Sequence, residues 1–190
     1  MEPIKSLTSK TVVIPLENID TDQITPARYL KGTSKKLAGA FFIDWRQDPE
    51  FTLNKPGAKG ASILVAADNY GCGSSREHAA WAAYDYGIRA LVSTSIADIH
   101  RNNCLKNGIV PIVVDEPTLK EALAAAEKNL EFTIDLPNQT LTLPSGKKVA
   151  FQIGAFYKKC MVGGLDELDY LKTHEAAVVA FEKRHDAARA

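Results

Sequence analysis

The sequence has no net charge, no long apolar run, no paired-cysteine motif and no internal repeat, and each absence excludes a class of protein. Lysine and arginine together number 23, as do aspartate and glutamate. No global field therefore draws the chain to nucleic acid or to an anionic membrane, and any recognition of an anion must be local. No apolar stretch approaches the roughly 20 residues needed to span a bilayer, and the opening "MEPIKSLTSK" lacks the apolar region of a signal peptide. The expectation is a soluble, cytoplasmic protein without nucleic-acid or membrane partners. Cys72, Cys104 and Cys160 are odd in number, lie 32 and 56 positions apart and form no CxxC pair. That argues against a disulfide framework and against a zinc or iron–sulfur site held by this chain alone. Reduced, mostly buried thiols are the plain reading; a ligand or nucleophile role for one of them is the alternative. No low-complexity tract or linker interrupts the 190 residues, 45% of them hydrophobic, so one domain over 1–190 with its own core is expected.

What is present is a clear alternation of strands and helices. "TVVIPL" (11–16) predicts a first strand, and the polar run "ENIDTDQITPARYLKGTSKK" a long functional loop carrying short helical turns at most. "FFIDW" leads into a stretch punctuated by Pro49, Pro56, Gly57 and Gly60, where no regular element is expected. From residue 61 the pattern is β-α-β-α-β. "ASILVAA", "RALVSTS" and "IVPIVV" are the strands; "SSREHAAWAAYDYG", stopped by Gly87, and "SIADIHRNNCLKNG" are the helices. This predicts an α/β fold with a mainly parallel central sheet flanked by helices. "EPTLKEALAAAEKNL" reads as a further helix, "LEFTIDL", "QTLTL" and "KKVAFQI" as a meander of short strands. Leu168, Leu171, Ala176, Val179 and Phe181 give the end the spacing of an amphipathic closing helix.

Three polar clusters stand out. In "DNYGCGSSREHAA" (68–80), Ser74 and Glu77 match the S-x-x-E capping box, in which case the serines only cap a helix, Gly71 and Gly73 supply the tight turn, and His78 is a partly buried side chain. Against that stands the position of this turn, at the carboxyl end of a parallel strand, where open α/β sheets bind ligands and helix amides point outward. Arg76 in the first turn is also unfavourable to the helix dipole unless it meets an anion. The GxG does not complete a dinucleotide fingerprint, because the third glycine of G-x-G-x-x-G would fall at Arg76, and no phosphate-loop lysine follows; nucleotide binding is the minor reading. The second cluster, "NIDTDQITPARYLK", offers Asp20, Asp22, Gln23, Thr25 and Arg28; the third, "IHRNNC", offers His100, Arg101, Asn102 and Asn103. The second is equally readable as a solvated loop, and for the third the purely structural reading is the plainer one.

Taken together, "NIDTDQITPARYL", "FFIDWR", "GASILVAADNYGCGSSREHAAWA", "SIADIHRNN" and "CMVGGLD" resemble the small subunits of isopropylmalate isomerases, also called 3-isopropylmalate dehydratases, over nearly the whole chain. That family corresponds to the mobile swivel domain of aconitase made as a separate chain. The resemblance implies an aconitase-swivel-like fold and a large-subunit partner that carries a [4Fe-4S] cluster, with no cofactor or metal in this chain. It implies a hydro-lyase of leucine biosynthesis that interconverts 2-isopropylmalate and 3-isopropylmalate through isopropylmaleate. A related hydro-lyase acting on homoaconitate or citramalate-type substrates, or a non-enzymatic carboxylate-binding module, remains the alternative. The family's G-S-S-R motif falls on Gly73, Ser74, Ser75 and Arg76, which makes Ser74 the catalytic base and Ser75 and Arg76 the carboxylate-binding pair. Its T-D-x-I-[ST] motif falls on Thr21, Asp22, Ile24 and Thr25, with Asp22 and Thr25 facing the pocket. The loop at 28–33, with Leu30, corresponds to the segment that lies against the variable part of the substrate.

Overall fold

The computed structural model describes residues 1–30, 36–74 and 76–187. Seven strands form one sheet in the order β4-β3-β2-β1-β5-β6-β7. β1 (Ser6–Ile14) is shared between two kinds of pairing. Its second half, Thr11–Ile14, pairs in parallel with β2 (Ile63–Ala66), which continues in parallel to β3 (Ala90–Ser93) and β4 (Val110–Val113). Its first half, Ser6–Lys10, pairs antiparallel with β5 (Glu131–Asp135), which continues into β6 (Thr140–Thr142) and β7 (Lys148–Ala150). The expected strand at 11–16 therefore begins five residues earlier, because β5 supplies a partner for the polar "SLTSK" segment that its own composition does not predict.

Strand periodicity divides the core into two layers. Val13, Ile63, Val65, Val92 and Ile112 face one side and pack with α4 (Glu116–Ala126) and the meander. Val12, Ile14, Leu64, Ala66 and Leu91 face the other and pack with α2 (Glu77–Tyr86) and the 37–61 segment. Pro111 lacks a donor for a ladder, and β4 is an edge strand where that is tolerated. The 37–61 segment holds four 3₁₀ turns. It is anchored by Phe41 and Phe42, both fully buried with ring centroids 4.8 Å apart, and by Trp45 stacked 5.0 Å from Phe42. Those two aromatics are core residues in a stretch without period.

α2 stops at Gly87, which adopts φ 116° and donates its N–H to Ala83 and Tyr84, as its sequence predicts. α3 (Asp98–Lys106) and α4 follow their strands, α4 capped by Asp115, which accepts from the Thr118 N–H at 2.9 Å. After α5 (Ala155–Gly163) the chain departs from expectation. The terminal amphipathic helix is two helices, α6 (Glu167–Lys172) and α7 (Glu175–Ala187), and Leu168, Leu171, Val179 and Phe181 are exposed instead of closing on the core. Asp166 and Asp169 form a capping box that fixes where α6 begins, and the chain leaves that helix at Thr173 before α7 starts at Glu175.

Candidate active site at the carboxyl edge of the parallel strands

Parallel strands deliver their carboxyl ends to one edge, and here the loops that leave β1, β2 and β3 are tied together. The β1–α1 loop leads into α1 (Thr21–Ile24), whose Asp20 and Gln23 form a reciprocal capping box. Asn18 donates its N–H to the Asp68 carbonyl at 3.0 Å, and the Asn69 side-chain amide donates to Asn18 Oδ1 at 2.8 Å. Gly71 and Cys72 both direct their N–H groups at the Ile19 carbonyl, at 2.7 and 3.2 Å, and Thr21 N–H returns to the Cys72 carbonyl at 3.1 Å. On the other flank Tyr70 N–H donates to the Ser95 carbonyl at 3.1 Å, and Ala97 N–H donates to the Tyr70 carbonyl at 3.0 Å. Asp68 accepts from the Ser95 and Thr94 hydroxyls at 2.7 and 2.9 Å, and those bonds hold its carboxyl below the usual carboxylate range.

This lacing brings the first two polar clusters into contact. Thr21 Oγ1 donates to the Ser74 carbonyl, and Arg76 forms an ion pair with Asp22, 54 residues away in sequence. Arg76 is 20% exposed against 50% for Asp22, so the guanidinium is mostly covered while its carboxylate partner stands at the rim. Gly71 and Gly73 have φ 77° and 79°, a region that glycine enters without strain. They make the tight turn that the sequence predicts. The capping reading does not hold for Ser74: α2 begins at Glu77, its N-cap is Arg76 with φ −142° and ψ 114°, and no side chain among the described residues caps it. What the loop holds at Ser74 is its carbonyl, and Ser74 itself stands exposed on the rim.

The remaining candidates are dispersed. Ser75 lies outside the described residues, as do residues 31–33 of the 28–33 loop. Leu30 is half-buried and ends a 3₁₀ turn at Ala27–Tyr29, while Arg28 pairs with Asp44. Thr25, which the motif places facing the pocket, lies inside the chain. It is fully buried, its Oγ1 without a partner among the described residues, because the chain turns into the core where Phe42 N–H donates to the Ile24 carbonyl at 2.8 Å. In the third cluster, Arg101 reaches away from the rim to the Gln152 carbonyl at 2.9 Å, and His100 is buried beneath the Gly71 turn. Thr21 and His100 make the contacts that the motifs alone did not assign, since Ser74 and Gly71, which they touch, lie far away in sequence.

The thiols do not make a ligand set. Cys72 is half-buried in the turn, Cys104 and Cys160 are buried, and burial pushes the Cys104 thiol up to about 12. Among the described residues no group of three or more His, Cys, Asp or Glu side chains could hold a metal ion, and no helix is long and apolar enough to cross a membrane. A cavity of about 330 Å³ lies on the flank of α2, lined by Trp81, Tyr84, Asp85 and Lys106 among others, and includes neither Ser74 nor Arg76. The candidate site is an open rim.

A sheet whose parallel carboxyl edge presents a G-S-S-R turn against a T-D-x-I-T segment defines an aconitase-type swivel domain, and the aconitase C-terminal domain family matches residues 1–117. A second family model, LeuD_N, matches residues 121–155. The 3-isopropylmalate dehydratase small subunit of Anaeromyxobacter dehalogenans (strain 2CP-C) is 52% identical over 189 residues, covering 96% of this chain and 98% of that protein. That of Chloroflexus aurantiacus (strain J-10-fl) is 48% identical over 194 residues, covering 97% and 96%. The crystal structure of 3-isopropylmalate dehydratase (leuD) from Methanocaldococcus jannaschii superposes with a TM-score of 0.66 over 94% of this chain and 99% of that one, at 24% identity, a likeness of fold. The chain belongs to the 3-isopropylmalate dehydratase small-subunit family.

Proposed function

We propose that this chain is the small subunit of an isopropylmalate isomerase, a hydro-lyase active with a cluster-bearing large subunit, interconverting 2-isopropylmalate and 3-isopropylmalate through isopropylmaleate in leucine biosynthesis. The observation that carries the proposal is the pairing of the Ser74 turn and Arg76 with the Thr21–Asp22 segment at one edge of the sheet. A single swivel-type domain over 1–190 and a cytoplasmic location belong to the same reading.

Arg76 presents five N–H donors, of which Asp22 engages one face, leaving the guanidinium able to receive a substrate carboxylate. Ser75 shares that carboxylate, and Asp22 holds the guanidinium in place. Thr25 supports this segment from behind, and Leu30 faces the isopropyl group. Ser74 takes the proton from the carbon next to a carboxylate as the hydroxyl departs from the neighbouring carbon. The same groups return proton and water with the two carbons exchanged. An unaided serine is too weak a base for this, so the alkoxide depends on the amides of the turn and on the positive charge of Arg76 in a site closed to water. An open rim does not exclude water, and the large subunit supplies the cover. The donor set of this chain does not fit an iron–sulfur cluster, so Lewis-acid assistance to the leaving hydroxyl is assigned to the partner.

Reconstitution with the large subunit, followed by a panel of alkyl-substituted malates, tests the reading. The isopropyl substrate is expected to show the highest kcat/KM, with no turnover by either chain alone. Equal turnover of homoaconitate, or turnover by this chain alone, would overturn it.

A further inference from the structure

We propose that His100 is a positioning residue for the Ser74 turn, a fixed wall under Gly71 that sets where the catalytic serine stands. The inference rests on the role assigned to Ser74 above.

The turn is bonded on two flanks and packed on a third. Tyr70 is zipped to the Ser95–Ala97 segment and Gly71 to the Ile19 carbonyl. Beneath them lies the His100 imidazole, 3% exposed and with its centroid 5.4 Å from the buried Tyr70 ring. The approach to Gly71 is closer than any side chain permits: a Cβ at residue 71 would stand 2.3 Å from His100 Cγ, 2.4 Å from Cδ2 and 2.7 Å from Cβ. Glycine is required at 71 twice over, by its φ of 77° and by this contact. The ring carries no charge that could pull on the turn, since burial lowers its pKa to about 4. Its Nδ1 is buried without a partner among the described residues, a cost that packing alone would avoid by using an apolar side chain.

Displacement of Gly71 acts on Ser74 more than on Arg76. Ser74 is three residues along the same turn and is tied to Thr21 through its carbonyl, which leaves its hydroxyl to follow the turn, whereas the Arg76 side chain itself is anchored by Asp22 and leads directly into α2. Loss of the wall should therefore appear in kcat rather than in KM.

The test uses the enzyme assembled with its large subunit and rates normalised to folded complex. His100→Ala is expected to lower kcat about tenfold or more with KM changed less than about twofold, since small misplacements of a reacting group are costly. Gly71→Ala should lower kcat further, and the double variant Gly71→Ala/His100→Ala should recover part of that loss because the overlap is gone. A mere contribution to stability would shift the melting temperature and leave kcat per folded complex unchanged. Wild-type kcat in His100→Ala, or a double variant no faster than Gly71→Ala, overturns the proposal. Ser74→Ala measured alongside separates the levels: if it is inactive while His100→Ala is normal, only this inference fails; if it too is normal, the reading beneath fails as well.

Discussion

On one side of β1 the sheet is parallel, and β1, β2 and β3 send their following loops to a single edge, where they are cross-bonded from Asn18 to Asp68, from Tyr70 to Ser95 and from Gly71 to Ile19. On the other side β5, β6 and β7 alternate in direction, and their turns bond locally: the Asn138 N–H and side-chain amide both donate to Asp135, at 2.9 and 2.8 Å. The two halves share one sheet, but β2 and β3 are buried throughout whereas β7 is partly to fully exposed, and it is the first half whose loops bring the polar clusters together. Strand direction decides this. Parallel pairing needs crossover connections, and successive crossovers return each loop to the same end, whereas a meander distributes its turns between both ends.

The largest effect expected from this contrast is at Arg76. Arg76→Lys keeps the charge and loses the planar fork, so steady-state kinetics of the assembled enzyme should show kcat/KM falling on the order of 100-fold, mostly through KM, with the fold retained. An unchanged KM would show that the guanidinium is structural.

Acid stability gives a second contrast. His100 is buried and neutral, with its folded pKa lowered to about 4 from an ordinary value of 6.5. The unfolded chain therefore binds one more proton between those limits. The contribution of His100 to stability is full above pH 6.5 and is lost as pH drops towards 4, with a slope approaching about 1.4 kcal/mol per pH unit and a total of about 3 kcal/mol. Chemical denaturation of wild type and His100→Gln across this window should show the slope flattened in the variant; parallel slopes would contradict the burial argument.

The smallest effect belongs to the antiparallel half. Lys147 pairs with Glu121 at 3.6 Å, both partly exposed. Lys147→Ala should cost less than about 1 kcal/mol and leave kcat of the assembled enzyme unaltered. A large loss of activity there would break the division between the halves.

The parallel half was legible because "ASILVAA" and "RALVSTS" each hold a short apolar run between helical segments, and Gly87 ends α2 where its sequence says. The site was legible only in part. Ser74 and Glu77 have capping-box spacing, but two positive-φ glycines carry the turn past Ser74, and the helix opens at Glu77. The Asp22–Arg76 pair spans 54 residues and the Gly71–His100 contact 29, and no local pattern encodes either. Phe41 and Phe42 went unassigned because 3₁₀ turns impose no repeat on which side chains are buried. The terminal segment misled in the opposite sense: its spacing is amphipathic, but amphipathicity specifies a face and not what covers it, and α6 and α7 leave theirs exposed.

The central claim is that Ser74 stands on this edge as a base and not as a helix cap. The direct measurement is single-turnover kinetics of Ser74→Ala assembled with the large subunit, with association and melting temperature recorded on the same sample. The account predicts a rate lowered on the order of 100-fold or more, with assembly, stability and substrate Kd close to wild type. A folded, assembled variant that turns over at the wild-type rate would show that Ser74 is not the base, and would contradict it.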